Sequence, residues 1–468
     1  MSPVLYALFV NGLVRELHKM NEGIEIGAGK KVCALLYADD IVLMTDNRYT
    51  LQCMLDTVAA YAKKWRFELN PKKSEVVVFG KRDPPRNVKW TLGENTIKQV
   101  NQYKYLGIEL TRTLRWGTYI KRILAKARRN MTQALAMGIS GGFMTIRLAN
   151  TIWMSLVRSI IEYGCEIWGE KEYAEFEKLQ LEMGKRILRC GSRTTDEVVR
   201  GELGWERQKA RRDEMRLRYW GKIVRMTDDR IVKTIYKTSR ERLEREERQI
   251  ANGESVELTK TWCKYTRDLL QKLNLEEEWR TEEVGDEGEW NEKVREHIHE
   301  FEQIQWRTQC LLKPKLRTYV TLKKELKVEP FLGVYHRGGT PELVKMRGGT
   351  NRLRIEQGRY TKEKLEERVC LLCNNGRVED EKHFMLDCVT YEDLRTKMWS
   401  SVEEITGESK ESIPEEERLN ALIGDKYQSD SSEKDENYEQ IARAVMKFIT
   451  AAMNRRRKVL DGVMSTRV

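Results

Sequence analysis

Two short apolar runs near the N-terminus enclose a pair of adjacent acids. Residues 32–36 read Val-Cys-Ala-Leu-Leu, residues 41–44 read Ile-Val-Leu-Met, and Tyr-Ala-Asp-Asp fills positions 37–40 between them. Apolar runs of this length are typical of β-strands, so the pattern predicts a hairpin with Asp39 and Asp40 at its tip. A further strand-like run, Val-Val-Val-Phe, occupies positions 76–79.

Beyond residue 113 the apolar positions recur every three or four residues, which predicts a mostly helical chain. The helix that begins near Tyr119 carries lysines and arginines on its polar face, which suits either a nucleic-acid backbone or an ordinary solvated surface. A basic stretch over 207–225 surrounds Trp220, which we expect to pack against a helix. The last helix runs from Tyr438 to Met453, and the basic residues 455–458 at its end suit the helix dipole better than a nuclear address.

The acids at the hairpin tip are candidate metal ligands. Two neighbouring carboxylates repel each other by about 1 kcal/mol at ~4 Å in water, and by more near a protein surface. Mg²⁺ prefers carboxylate oxygens together with substrate phosphates, and two such ions can hold the attacking and leaving oxygens of a phosphoryl transfer. The alternative is a solvated Asp-Asp turn, because aspartate also favours turns.

Four blocks of sequence resemble, in their order and spacing, the later palm motifs of the reverse transcriptases of non-LTR (LINE-type) retrotransposons. They are Ser2-Pro3 with the apolar run after it, the Tyr-Ala-Asp-Asp hairpin, Leu-Asn-Pro-Lys-Lys-Ser-Glu at 69–75, and Tyr-Lys-Tyr-Leu-Gly-Ile at 103–108. The resemblance implies an RNA-directed DNA polymerase, a nucleotidyltransferase that extends a DNA primer on an RNA template with deoxynucleoside triphosphates.

The same resemblance implies a role for each matched residue. Asp39 and Asp40 would bind Mg²⁺, and Lys73 would protonate the departing pyrophosphate, a type of proton transfer worth about 10²–10⁴ in rate. The implied nucleic-acid contacts come from the turn that holds the primer end and from the start of the helix that faces template and nucleotide. These residues are Tyr105, Leu106, Gly107, Ser2 and Pro3.

The chain departs from the family pattern upstream of the hairpin. The family's palm carries a further metal-binding aspartate on an earlier strand, whereas 36 residues precede Tyr37 here, and they are occupied by the Ser-Pro helix and a Gly-rich turn near 23–29. None of the acids Glu16, Glu22 and Glu25 fits the missing strand. We therefore expect the C-terminal portion of a longer polymerase, weakly active or inactive alone. The alternative is a non-catalytic, retrotransposon-derived remnant that binds nucleic acid.

A second group of candidate ligands lies far along the chain. Cys370, Cys373, His383 and Cys388 form the pattern Cys-x₂-Cys-x₉-His-x₄-Cys, in which the segment 378–388 is expected to be a short helix. Three thiols and one imidazole make a complete ligand set for a structural, tetrahedral Zn²⁺. The alternative is a set of reduced core cysteines beside a chance histidine. Similar clusters follow the polymerase in many LINE-type proteins, so the resemblance extends to this segment.

Composition adds a weak preference for a polyanionic partner. Lysine and arginine number 85 against 73 acids, which gives a net charge of +12. No run approaches the ~18 apolar residues of a membrane span, so we expect no membrane partner. Nine cysteines without an export signal favour a reducing, intracellular compartment, nuclear or cytoplasmic. The oligomeric state stays open.

These observations together predict an α+β fold. A partial polymerase palm, built from a β-hairpin sheet with helices, is followed by mostly helical modules and a small zinc-knuckle-like module. The charged composition of the middle segment predicts exposed helices or a spacer. The expected segments are a palm at 1–112, a helical thumb-like domain at 113–235, a charged helical spacer at 236–345, a Cys-Cys-His-Cys zinc-like module at 346–396, and an acidic linker with a C-terminal amphipathic helix at 397–468.

Overall fold

The computed structural model describes residues 3–85, 88–139, 141–334, 336–427 and 436–465. Its strands are β1 (Ile24–Gly27), β2 (Lys30–Val32), β3 (Ala34–Tyr37), β4 (Asp40–Leu43), β5 (Glu75–Val77), β6 (Trp90–Leu92), β7 (Asn95–Val100), β8 (Gln102–Tyr105) and β9 (Ile108–Thr111). Its first helices are α1 (Pro3–Lys19), α2 (Arg48–Trp65), α3 (Gly117–Ala134), α4 (Ile146–Ile152), α5 (Ser159–Glu162), α6 (Cys165–Trp168), α7 (Ala174–Leu188), α8 (Asp196–Leu203), α9 (Gln208–Val224) and α10 (Ile231–Ala251).

The remaining helices follow without further strands among the described residues. They are α11 (Trp262–Lys272), α12 (Glu276–Thr281), α13 (Glu287–Leu311), α14 (Tyr319–Leu322), α15 (Gly339–Arg347), α16 (Arg354–Tyr360), α17 (Glu392–Thr406), α18 (Glu415–Ile423) and α19 (Glu436–Ser465). The fold is therefore mixed, with small sheets and a helical majority, as the sequence predicts. None of the described helices has the length and apolar composition needed to cross a bilayer.

The chain forms two compact units, each drawn from separated stretches of sequence. The first comprises Met1–Ile123, Gly164–Glu170 and Met215–Val294, and every described strand belongs to it. The second comprises Leu124–Tyr163, Lys171–Glu214 and Arg295–Val468. The five-segment division expected from the sequence stays a prediction.

Helix α2 holds the small sheets of the first unit together. Its N-terminus is capped by the Asn47 side chain, which accepts hydrogen bonds from the N–H groups of Tyr49 and Thr50. One side of α2 packs with α1 and the β3–β4 hairpin through Leu13, Leu17, Cys33, Met54, Val58 and Tyr61. The other side covers the three-stranded sheet β5–β7–β6 through Leu55, Val76, Trp90, Leu92 and Ile97. The hairpin is thus anchored by its apolar side chains.

The Gly-rich region near 23–29 forms a hairpin where the sequence predicts a turn. Strands β1 and β2 pair antiparallel with a register irregularity between Glu25 and Gly27, and Glu25 lies opposite Lys31. Gly23 and Gly27 have positive φ angles of 139° and 109°, which glycine tolerates. The two strands span only four and three residues, which is too short for a periodic apolar pattern to be recognised.

The charged segment 236–345 forms helices that bury part of their side chains, and its role as a spacer stays a prediction. In the first unit, Trp290 is buried, donates its indole N–H to the carbonyl oxygen of Leu217 at 2.8 Å and lies 5.3 Å from the ring of Trp220. Trp220 is fully buried, as expected. Charged neighbours pair locally, as in the 2.9 Å contact between Arg242 and Glu246. The few apolar side chains of this segment therefore determine how it packs.

Two arginines of the basic stretch 207–225 are buried. In the second unit, the guanidinium of Arg212 lies 5.6 Å from the ring centroid of Tyr173 and 5.4 Å from that of Phe176. In the first unit, Arg216 lies 3.5 Å from a carboxylate oxygen of Glu170. Both side chains are part of the core, because the cation–π contacts of Arg212 and the ion pair of Arg216 stabilise their buried charges.

The predicted C-terminal helix is confirmed as α19, and its apolar positions are buried. They are Tyr438, Ile441, Val445, Phe448 and Ile449. Two arginines of its basic end make ion pairs within the second unit: Arg455 with Asp393 at 2.8 Å, and Arg456 with both carboxylate oxygens of Glu379 at 2.7 and 2.8 Å. These pairs favour the structural interpretation of this basic run.

Candidate active site and metal centre

The structure places both acids at the exposed tip of the β3–β4 hairpin. Leu36 pairs with Ile41 and Tyr37 with Asp40, which leaves Ala38 and Asp39 as a two-residue turn. Among the described residues no ion pair neutralises Asp39 or Asp40. Their oxygens are therefore available to a cation, and adjacent carboxylates are the donors that Mg²⁺ prefers.

Ala38 has a φ angle of 51°, in the left-handed region that is unfavourable for alanine. Replacing Ala38 by glycine should relieve this strain and raise the free energy of unfolding by about 0.5–1 kcal/mol, as thermal unfolding would show. Ala34 lies in β3 of the same hairpin, so Ala34→Gly is the matched control and should destabilise the protein. A loss of stability in Ala38→Gly as large as that in Ala34→Gly would contradict the interpretation.

A second tight turn carries the predicted primer contact. Tyr105 pairs with Ile108 across β8–β9, so that Leu106 and Gly107 form the turn, with φ angles of 45° and 84°. Two consecutive positive φ angles are typical of the type I′ hairpin turn. Arg122 of α3 donates to the carbonyl oxygen of Gly107 at 3.0 Å and so holds the turn in place.

Tyrosines from two other elements are electrostatically coupled to the acids. The pKa of Tyr6 on α1 is raised, first by burial and then by the charge of Asp39. Burial and then Asp40 likewise raise the pKa of Tyr105 and of Tyr103. The structure thus brings α1 and the β8–β9 hairpin near the acidic tip. Sequence reasoning did not single out Tyr6 or Tyr103, although each lies within a motif block.

Lys73 is exposed, in a turn that contacts β8. Its N–H donates to the carbonyl oxygen of Asn70 at 3.1 Å, and the Tyr103 hydroxyl donates to the carbonyl oxygen of Lys73 at 3.3 Å. Its ammonium group makes no ion pair among the described residues. Pro3 begins α1, whereas Ser2 lies outside the described residues.

The four predicted ligands of the Cys/His cluster come together in the second unit. All four ligand atoms lie within 4.8 Å of one another. Sγ of Cys370 lies 4.0 Å from Sγ of Cys388, and Sγ of Cys373 lies 3.4 Å from Nε2 of His383. Tetrahedral zinc with bonds of about 2.3 Å to sulfur and 2.0 Å to nitrogen separates its ligands by roughly 3.5–3.8 Å. The cluster can therefore hold a metal ion.

The first two cysteines lie on a tight β-turn. Val369 bridges Val378, and the Cys370 N–H donates to the carbonyl oxygen of Arg377 at 2.8 Å. Positive φ angles of 52° at Asn374 and 69° at Gly376 close the turn. The hydrogen bond to Cys388 and burial raise the pKa of the Cys370 thiol, and the N–H groups of Leu372 and Cys373, which donate to its sulfur, oppose that rise.

His383 begins a π-helical turn over His383–Asp387, and Cys388 follows directly after that turn. The predicted helix over 378–388 is shorter than expected, because Val378 belongs to the bridge. The Cys388 N–H donates to the carbonyl oxygen of His383 at 2.8 Å, and this i→i+5 bond aligns two residues that an α-helix would separate. A hydrogen bond from Cys370, with others from His383 and Thr390, lowers the pKa of Cys388.

A buried arginine attaches this turn to α17. Arg395 donates to the carbonyl oxygens of Met385 and Cys388 at 3.0 and 2.6 Å. The ring of Phe384, next to the ligand His383, lies 5.9 Å from that of Phe448 on α19. The Cys/His cluster is therefore integrated into the core beneath α17 and α19.

Comparison with known proteins agrees with the motif blocks. Residues 1–110 match the family described as reverse transcriptase (RNA-dependent DNA polymerase). The chain is 27% identical over 197 residues to a probable RNA-directed DNA polymerase from transposon BS of Drosophila melanogaster, covering 41% of this chain and 21% of that protein. It is 30% identical over 120 residues to a Pol polyprotein from the type-1 retrotransposable element R2 of Popillia japonica, covering 24% and 20%.

A third relative, the RNA-directed DNA polymerase from mobile element jockey of Drosophila melanogaster, is 23% identical over 197 residues, covering 40% of this chain and 21% of that protein. The chain thus spans about a fifth of the length of these curated relatives. The matched region includes both tight hairpins and the turn with Lys73. Residues 1–110 therefore match the reverse transcriptase family, and the relatives similar to this chain are polymerases and Pol polyproteins of transposable elements.

Proposed function

We propose that the first unit carries the nucleotidyl-transfer site of an RNA-directed DNA polymerase, with Asp39 and Asp40 as Mg²⁺ ligands. The observation that supports it best is the pair of exposed carboxylates at the tip of the β3–β4 hairpin, which form no ion pair among the described residues and lie close to the turn after Tyr105. Mg²⁺ bound there would stabilise the charge that develops on the transferred phosphoryl group. RNA template, DNA primer and deoxynucleoside triphosphates are the proposed substrates.

The other site residues take the roles that the resemblance implies. Lys73 donates a proton to pyrophosphate, and the turn formed by Leu106 and Gly107 contacts the primer end. Pro3, which begins α1, and the preceding Ser2 contact template and nucleotide. The exposed position of Lys73 and the fixed backbone of the turn are compatible with these roles.

For the second unit we propose a structural Zn²⁺ bound by Cys370, Cys373, His383 and Cys388. Two observations support it: the ligand distances and the N–H groups directed at the Cys370 sulfur. Zinc favours such a sulfur-rich, closed ligand set.

Primer extension tests the catalytic proposal. With oligo(dT) annealed to poly(rA), dTTP and Mg²⁺, the double variant Asp39→Asn/Asp40→Asn should extend at least ~10²-fold more slowly than the wild type, because metal-based charge stabilisation is worth several kcal/mol. Asp46→Asn, an exposed acid just beyond the hairpin, is the matched control and should keep the wild-type rate.

Hybrid binding measured in parallel separates the two candidate functions. Equal extension by the wild type and the double variant would contradict the role of the acids. A wild-type chain that binds the hybrid tightly without any extension would favour the alternative, a non-catalytic remnant that binds nucleic acid. The lysines and arginines on the polar face of α3 are the observation that favours this alternative.

A further inference from the structure

A groove runs between α17 and α19 in the second unit. It encloses about 740 Å³ and is lined by one face of each helix. The α17 residues recur at intervals of three and four, and so do those of α19, as expected for single helical faces. Its length is about 16 Å along α17 and about 21 Å along α19, three to four helical turns. The groove is therefore long enough to bind three to four turns of a third helix.

The floor of the groove is apolar. Met398 and Phe448 are buried at its base, and Ala444 and Ala451 leave room along α19 for a close approach. The opposite faces of α17 and α19 are already used by the core of the unit. An apolar floor between two packed helices is the geometry in which amphipathic helices bind.

The rim of the groove is cationic. Lys397, Arg443 and Lys447 line it and form no ion pair among the described residues, whereas Glu404 is the one acid of the lining. Core-facing arginines on the same helices are paired, as Arg395 is with Glu392. Unpaired positive charge is thus concentrated on the groove.

The positive charges of the rim also act on the nearby imidazole of His336. Its pKa is lowered, first by burial and then by repulsion from Arg443, with Lys447 contributing. The positive charges of Arg443 and Lys447 thus act on this side of α19.

We propose that this groove binds an acidic amphipathic helix of a partner protein. The partner's apolar face would pack on the half-buried side chains above that floor, which are Leu394, Ile405, Ala444 and Ala451, and its carboxylates would pair with the three cations of the rim. The interaction is independent of nucleotidyl transfer and extends the function of the chain to recruitment of a protein.

The test uses a fluorescein-labelled helical peptide of about 16 residues, with leucines at i, i+4, i+7 and i+11 and glutamates on the flanks. A matched peptide with lysine at every glutamate position is the comparison. Fluorescence anisotropy with the full chain should show saturable binding of the acidic peptide, at least ~10-fold tighter than that of the basic peptide, because opposite charges meet at the rim.

Two kinds of variant locate the binding. Lys397→Glu/Lys447→Glu should weaken acidic-peptide binding ~10-fold or more, whereas Lys178→Glu/Arg186→Glu, the same charge change on exposed positions of α7, should leave it within about twofold. Ala451→Trp fills the groove without removing a core side chain and should abolish binding. Circular dichroism checks that each variant folds.

Several outcomes would overturn the proposal. They are equal affinity for the two peptides, no saturable binding of the acidic peptide, and binding that survives both the charge reversal and Ala451→Trp. Competition by oligo(rU) for the same site would assign the groove to nucleic acid instead. Self-association of the chain that Ala451→Trp removes would assign it to a second copy.

Discussion

Replacing Cys388 by serine is expected to release the metal and to unfold the segment around the Cys/His cluster. Binding free energies of structural zinc are about 10–16 kcal/mol, comparable with the whole stability of a domain. Even a loss of 5 kcal/mol would lower the melting temperature by roughly 10–20 °C for a unit of this size. The measurements are the zinc-to-protein ratio by mass spectrometry and thermal unfolding by circular dichroism.

Cys190→Ser is the matched control for Cys388→Ser. Cys190 is also a buried free thiol of the second unit, but it lies outside the Cys/His cluster. It should keep the full metal content and lose about 1–2 kcal/mol at most. A purified wild-type chain without zinc, together with an unchanged melting temperature after chelation, would rule out the metal centre.

Replacing Arg347 by methionine is expected to destabilise the second unit by about 3–5 kcal/mol. Arg347 is 1% exposed, and its guanidinium lies 3.1 Å from a carboxylate oxygen of Glu202 and 3.1 Å from one of Glu329. It also donates to the carbonyl oxygen of Ile423. Its removal leaves Glu202 buried without its cation, whereas Glu329 keeps Lys323. Urea unfolding measures the difference.

The pH dependence of the Arg347→Met variant provides a second readout. Burial raises the pKa of Glu202 in the wild type, and Arg347 opposes that rise. Without Arg347 the pKa should rise further, so the folded variant binds more protons than the unfolded chain, and its stability falls as pH rises. The deficit relative to wild type should therefore be smaller at about pH 5 than at about pH 8.

Two comparisons make the Arg347 prediction specific. Adding Glu202→Gln should recover part of the loss, because no buried charge then lacks a partner. Arg352→Met, at an exposed position, should change stability by less than about 0.5 kcal/mol. An equal loss in Arg347→Met and Arg352→Met would show that the buried network contributes nothing.

Local sequence patterns predict the parts of both sites that depend on local geometry. The apolar runs around Asp39 and Asp40 suffice to predict a hairpin, because strand pairing across a two-residue turn involves only neighbouring residues. The spacing of Cys370 and Cys373 likewise predicts a tight turn, and the structure brings their partners His383 and Cys388 within reach. The roles assigned to these residues stay predictions.

Composition does not predict the burial of charged residues where their charges are neutralised by residues distant in sequence. Arg207 pairs with Glu302 at 2.6 Å across 95 positions, so neither charge is a guide to exposure. The same holds for Arg212, whose aromatic partners lie more than thirty positions earlier. A charged stretch can therefore be core when its partners come from elsewhere, which a one-dimensional pattern does not record.

The ring contact between Phe384 and Phe448 links two features that are otherwise separate. Phe384 is adjacent to a cluster ligand, and Phe448 forms the floor of the groove. An oxidant that joins Cys370 and Cys388, whose sulfurs lie 4.0 Å apart, in one disulfide would remove two ligands of the proposed metal and is expected to shift Phe384 and with it the floor of the groove. Recruitment through the groove would then become redox-sensitive, and hydrogen peroxide should lower peptide affinity in the wild-type chain at concentrations that leave the Asp39 hairpin intact.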